Sequence, residues 1–119
     1  MYELNRITIT GVTVHPKGEE NFVFVKTKNE KGEPSMVHLV LAQHYYDRNA
    51  ENKIATQYFN CIGLGTIAQR LKKAITERCR LTIDGKLQAR VNEKDGKKYV
   101  NTTIVIDDFQ MTELPKKAN

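Results

Sequence analysis

Ile67-Ala68-Gln69-Arg70-Leu71-Lys72-Lys73-Ala74-Ile75 and, after four intervening residues, Arg80-Leu81-Thr82-Ile83-Asp84-Gly85-Lys86-Leu87-Gln88-Ala89-Arg90 decide the fold, because the hydrophobic period changes between them. In the first stretch Ile67, Ala68, Leu71, Ala74 and Ile75 recur at spacings of three and four, while Gln69, Arg70, Lys72 and Lys73 point elsewhere. That spacing predicts an amphipathic helix of about three turns. In the second, Leu81, Ile83, Gly85, Leu87 and Ala89 share one face of a strand and Arg80, Thr82, Asp84, Lys86, Gln88 and Arg90 share the other.

Working outward, Lys94-Asp95-Gly96-Lys97 carries the Asp-Gly hairpin signal and leads into a β-rich run, residues 98–106. Ahead of the helix, residues 54–64 are again β-like and end in Gly63-Leu64-Gly65. A polar loop near 47–53 precedes them. Residues 22–28 and 36–41 form a hairpin around a turn that contains Gly32 and Pro34, and a first strand runs from about 4 to 14 and stops near Pro16. The order predicts an all-β fold with one helix: a five-stranded Greek-key barrel, the OB-fold, with the helix between strands 3 and 4 plugging one end. An open α+β sheet with the helix on one face is the alternative. The domain is expected to span residues 1–114, with a short polar tail at 115–119.

With 119 residues, 39% apolar and 28% charged, the chain has room for one core and not for two. No uncharged apolar run approaches the roughly 18 residues of a membrane span, and Met1-Tyr2-Glu3-Leu4-Asn5-Arg6 lacks the apolar stretch of a secretory signal. Cys61 and Cys79 form neither a CxxC pair nor a cluster with histidine, which argues against a disulfide scaffold and a zinc site. A cytoplasmic protein with two bland thiols is expected. The net charge is +5, and residues 65–100 hold ten bases against four acids, whereas residues 1–64 balance at seven each. That stretch suits a polyanion, or is a solvated lysine-rich surface.

Several segments, in order, resemble the bacterial-type single-stranded DNA-binding proteins. Asn5-Arg6-Ile7-Thr8-Ile9-Thr10-Gly11 is similar to the family's opening strand, and Thr56-Gln57-Tyr58-Phe59-Asn60-Cys61-Ile62-Gly63-Leu64-Gly65 to its third. Leu81-Thr82-Ile83-Asp84-Gly85-Lys86-Leu87-Gln88-Ala89-Arg90 resembles its aliphatic-x-aliphatic-Glu-Gly-x-Leu-x-x-Arg strand, and Glu93-Lys94-Asp95-Gly96-Lys97-Lys98-Tyr99 its Asp-Gly hairpin. The resemblance implies a non-catalytic protein that coats single-stranded DNA without strong sequence preference, in replication, recombination or DNA transfer, as a homotetramer or else a dimer.

The departures bear on affinity. The family presents several tryptophans to DNA, and this chain has none. Leu64 and Val91-Asn92 stand where rings are usual, Arg78 where a Gly is usual, and the chain is longer around residues 28–35. It ends Pro115-Lys116-Lys117-Ala118-Asn119, so the acidic tip with which such proteins recruit replication partners is expected to be absent.

A general single-strand binder needs aromatic platforms for bases and cations along the phosphates. Tyr58 is the preferred platform, with Asn60 on its face and Phe59 and Cys61 left to the core; Tyr45 or Tyr46 from the preceding loop and Tyr99 from the last hairpin would complete it. Each tyrosine has an ordinary packing role as its alternative. Phe22, Phe24, Phe59 and Phe109 are assigned to the core. Arg6, Lys86 and Arg90 on strands, and Lys94, Lys97 and Lys98 on the hairpin, are the candidate phosphate contacts, while Lys72 and Lys73 are left as solvated surface. His15, His38 and His44 fall on separate segments and Asp107-Asp108 reads as a strand end, so neither catalysis, a metal nor a cofactor is expected. Two other roles stay open: an interaction subunit of a replication or conjugation complex, and a single-stranded RNA-binding OB-fold.

Overall fold

Six strands and one helix account for the regular structure: β1 (Ile7–Val14), β2 (Phe24–Lys28), β3 (Pro34–Tyr46), β4 (Ile54–Leu64), α1 (Thr66–Ala74), β5 (Arg80–Lys94) and β6 (Lys97–Thr112). The computed structural model describes residues 3–112, so the tail expected at 115–119 lies outside the described residues. The strands run in the order β1-β5-β6-β4-β3-β2, and β1 also pairs with β3. That pairing closes β1, β5, β6, β4 and β3 into a ring of five, with α1 between its third and fourth members in chain order. The sixth strand, β2, shares an edge of β3 with β1: β1 takes residues 40–42 and β2 residues 34–38. This is the OB-fold barrel that the period change implied.

Alternation fills the interior. Val37, Leu39 and Leu41 from β3, Cys61 from β4, Leu81 and Ile83 from β5, and Ile104 and Ile106 from β6 are all buried. Helix α1 starts after Gly65, which takes a φ of 59°, and inserts Ala68 and Leu71 into the barrel end; Ile75 closes it by donating its N–H to the Leu71 carbonyl at 2.9 Å. At Gly85 the β5–β6 register shifts, and a side chain there would collide with the Val105 carbonyl oxygen. Only glycine fits that approach.

Two strands run further than their own patterns suggest. β3 continues through Tyr45 and Tyr46, which belong to a strand rather than to a loop, and β6 continues to Thr112. Leu87 and Ala89 keep the inward parity of Leu81 and Ile83 but are exposed: Leu87 pairs with Ile104 at the last row where β4 and β6 meet, and Ala89 lies beyond it. β4 and β6 pair in parallel only at Cys61↔Ile104 and Ile62↔Val105. From there β4 extends seven residues back to Ile54 and β6 seven back to Lys97, about 23 Å each at 3.3 Å per residue. Two hairpin arms, β3–β4 and β5–β6, thus leave the same end of the barrel, opposite the helix. The second ends in a two-residue turn with Asp95 at φ 54° and Gly96 at φ 76°, the left-handed pair of a type I′ hairpin. Residues 28–35, where a longer chain was expected, form a tight β2–β3 turn in which the Asn29 side chain accepts hydrogen bonds from the N–H groups of Lys31 and Glu33, both at 2.9 Å.

Candidate nucleic-acid interface

The outward residues of the strands fall into rows across the sheet. One row joins Phe24, His38, Ile62, Val105 and Lys86 through successive strand pairings. The next two are Val14, Val40, Asn60 and Val12, Ala42, Tyr58. Tyr58 is 65% exposed and has only the small Ala42 beside it in register. A ring on such a shelf is accessible to a ligand.

On the β5–β6 arm the direct pairs Lys86↔Val105, Arg90↔Asn101, Asn92↔Tyr99 and Lys94↔Lys97 alternate onto one face. Since Lys86, Val105 and Ile62 share a row, this is the face that carries Tyr58 and Asn60. Arg6 joins it: the Ile7↔Gly85 pair lies on one side of Arg6 and Lys86, and the Asn5–Leu87 hydrogen bonds at 2.7 and 2.9 Å on the other. Two cations are thereby held side by side. Among the described residues the one ion pair is Arg70–Asp108 at 3.6 Å, so Arg6, Lys86, Arg90, Lys94 and Lys97 have no carboxylate partner. An array of unpaired cations beside exposed rings matches the needs of a sugar-phosphate chain.

Not every expected contact falls here. Lys98 lies opposite Glu93 on the other face of the arm. Tyr46, 73% exposed, shares the face of Tyr58, whereas Tyr45 points to the other side of its strand. The basic stretch from 65 to 100 is divided: Arg70 pairs with Asp108 and sits 5.0 Å over the Phe109 ring, and Lys72 donates to the Val23 carbonyl at 3.4 Å, at the helix end of the barrel.

The structure adds a groove of about 590 Å³ beside Tyr58 and Asn60, lined by Val14, Val40, His38, Phe24 and Lys26, with His15, Pro16, Lys17 and Glu19 as its wall. Phe24 is therefore a groove residue and not a core one, since Val23 and Val25 hold the inward positions. His15 stacks on Phe22 at 4.0 Å and Glu19 donates its N–H to the Pro16 carbonyl at 2.9 Å, which fixes the wall. The even parity of Phe24, His38, Asn60 and Tyr58 was readable in the sequence, but their adjacency was not.

Both thiols are buried. Burial pushes Cys61 from an ordinary 9.0 up to about 12, and burial also raises Cys79, against a hydrogen bond from Thr13. Neither is a poised nucleophile. Among the described residues no group of three His, Cys, Asp or Glu side chains is placed to hold a metal, and no helix is long and apolar enough to cross a membrane.

A closed barrel plugged by a helix, with exposed rings and cations on one face and two arms extending it, defines an OB-fold. The chain belongs to the Single-strand binding protein family, which it matches over residues 21–112. It is similar to single-stranded DNA-binding protein 2 of Streptococcus agalactiae, 27% identical over 89 residues. That match covers 75% of this chain and 66% of the relative, just under two thirds of its length. Similar folds are seen in the Plasmodium falciparum SSB complex with ssDNA (TM-score 0.69, 18% identity, 97% of this chain and 98% of that one) and in the single-stranded DNA-binding protein of Thermus aquaticus (TM-score 0.67, 19% identity, 92% of this chain and 50% of that one). A small single-stranded DNA-binding protein of Mycoplasma pneumoniae matches at TM-score 0.58 with 17% identity, over 98% of this chain and all of that one.

Proposed function

We propose that this protein binds and protects single-stranded DNA, in replication, recombination or DNA transfer, and performs no catalytic step. The observation that carries the reading is the shared face on which Tyr58, Asn60, Lys86, Arg90 and Tyr99 lie, with its cations in no ion pair among the described residues. Tyr58, Tyr46 and Tyr99 supply stacking, and Arg6, Lys86, Arg90, Lys94 and Lys97 follow the phosphates, with Lys98 and Tyr45 as contacts from the reverse faces of the arms. A homotetramer, or failing that a dimer, is supported by the family and by the apolar stripe of Leu87, Val91 and Val100, exposed by 43%, 64% and 64%. The reading extends the domain to residue 114 and is compatible with a cytoplasmic setting.

Titration with equal-length single-stranded DNA, duplex DNA and single-stranded RNA tests it. Binding of the first well above both others is expected. Equal binding of RNA would favour the RNA reading, and binding of none of the three would favour the interaction-subunit reading.

A further inference from the structure

We infer that Gln43 and Gln57 are positioning residues: hydrogen-bonded in series to the Thr10 carbonyl of β1, they set the direction in which the β3–β4 arm leaves the barrel and so place Tyr46 for the strand. The inference rests on the single-strand reading and adds to it the part that aims one arm. Inward parity along β3 gives Leu39, Leu41, Gln43 and Tyr45, so a polar side chain stands where an apolar one would continue the core. Its row, Gln43↔Gln57, is the first past the apolar Leu41↔Phe59 pair, at the root of the arm.

β1 and β3 pair over Val12↔Ala42, Thr13↔Leu41 and Val14↔Val40, and beyond Ala42 the arm departs. Thr13 donates its N–H to the Cys79 carbonyl at 2.9 Å, on the side of β5. Because backbone groups alternate in direction along a strand, the Thr10 carbonyl faces the opposite edge, toward β3. Gln43 Nε2 donates to it at 3.0 Å, so a side chain continues the ladder after the two backbones have parted. A carbonyl can only accept, which turns Gln43 Oε1 toward β4, and Gln57 Nε2 donates to that oxygen at 2.8 Å. Both strands of the arm are thereby tied to β1 at one level. Tyr46 lies three residues further out, about 10 Å at 3.3 Å per residue, so a change of angle at the root moves its ring. Asn5, just ahead of β1, holds the other arm in the same manner through the backbone of Leu87.

The experiment titrates the full chain and its variants with oligo-dT, and circular dichroism establishes that each variant is folded. Gln43→Leu, which removes both bonds, is expected to weaken binding by roughly 2- to 10-fold, the range of one hydrogen bond. Gln57→Leu is expected to weaken it likewise, and the double variant no more than Gln43→Leu alone, because Gln57 reaches β1 only through Gln43. A second comparison separates positioning from a general loss of stability. In a Tyr46→Ala background the effect of Gln43→Leu should shrink, since the ring it places is gone, whereas in a Lys94→Ala background, which alters the other arm, it should persist in full. Should Gln43→Leu fail to fold, Gln57→Leu carries the same comparison. Parent affinity in the folded variant, or an equal loss in both backgrounds, overturns the relay while leaving general binding intact; failure of the unaltered protein to bind oligo-dT overturns the single-strand reading itself.

Discussion

The side-chain amide of Asn5 is joined twice to the backbone of Leu87: Nδ2 donates to the Leu87 carbonyl at 2.7 Å, and the Leu87 N–H donates to Oδ1 at 2.9 Å. One side chain thereby acts as an additional ladder rung, 82 residues away in sequence, at the point where the β5–β6 arm leaves the barrel. The next residue is Arg6, so the bond pair also fixes a cation beside Lys86. Asn5→Ala is expected to lower stability in urea unfolding by about 1 kcal/mol. Single-strand affinity should fall with it, although Asn5 need not touch DNA. Unfolding midpoints and affinity that both stay at the parent values would mean that the rung holds nothing.

Tyr58 lies on the shared face and stands proud of its neighbours, so its ring contributes contact area rather than core packing. Tyr58→Ala is expected to weaken single-strand binding by about 1–3 kcal/mol with the fold intact, and Tyr58→Phe to lose little. Tyrosine fluorescence quenching reports both, since the chain has no tryptophan.

With few rings available, the proposed cation contacts are expected to carry a larger share of affinity. Each phosphate neutralised on a single strand contributes about −0.7 to the log–log slope of affinity against salt. Arg90→Ala is expected to reduce the magnitude of that slope by about 0.7, whereas Lys73→Ala, at the helix end, leaves it unchanged. Affinity that stays flat from low to high salt would make the arm ordinary solvated surface.

For the assembly, light scattering is expected to give four times the 13.6 kDa chain mass at micromolar concentration. Val91→Lys together with Val100→Lys, which charges the exposed stripe, tests whether that stripe holds the copies together. A monomer in the unaltered protein rules out the tetramer and the dimer alike.

Cys61 gives the stability a pH signature. The unfolded thiol begins to ionise near 9.0, while the buried one stays neutral to about 12. The neutral thiol is therefore compatible with folding at all pH values below 9, and its advantage is lost as pH rises from 9 to 12, at up to about 1.4 kcal/mol per pH unit. Thermal unfolding of the parent should fall faster than that of Cys61→Ala across this window. Parallel profiles would show that Cys61 ionises freely in the folded state.

Features under local control were legible along the chain. The helix expected over residues 67–75, seen at 66–74, followed from apolar spacing, the hairpin tip from Asp95-Gly96, and the inward set Leu81, Ile83 and Gly85 from alternation, because backbone propensity and side-chain parity act within a few residues. The parity that put Tyr58 and Asn60 outward and Cys61 inward is equally local. Where a strand stops depended on the assembled sheet, since pairing partners and not propensity carry β3 through Tyr46 and β6 to Thr112. The sheet likewise decided that Leu87 and Ala89, inward by parity, are exposed, because Leu87 pairs with Ile104 at the last row of the β4–β6 closure and Ala89 lies beyond it on the free arm. Phe24 left the core for the same kind of reason: Val23 and Val25 occupy the inward positions on either side of it. The groove exists only because the wall at residues 15–19 is brought against Tyr58 and Asn60, about forty residues further on, by the pairing of Val14 with Val40 and of Val40 with Asn60. A contact made across that separation depends on how the ring of strands closes, which no window of the chain contains.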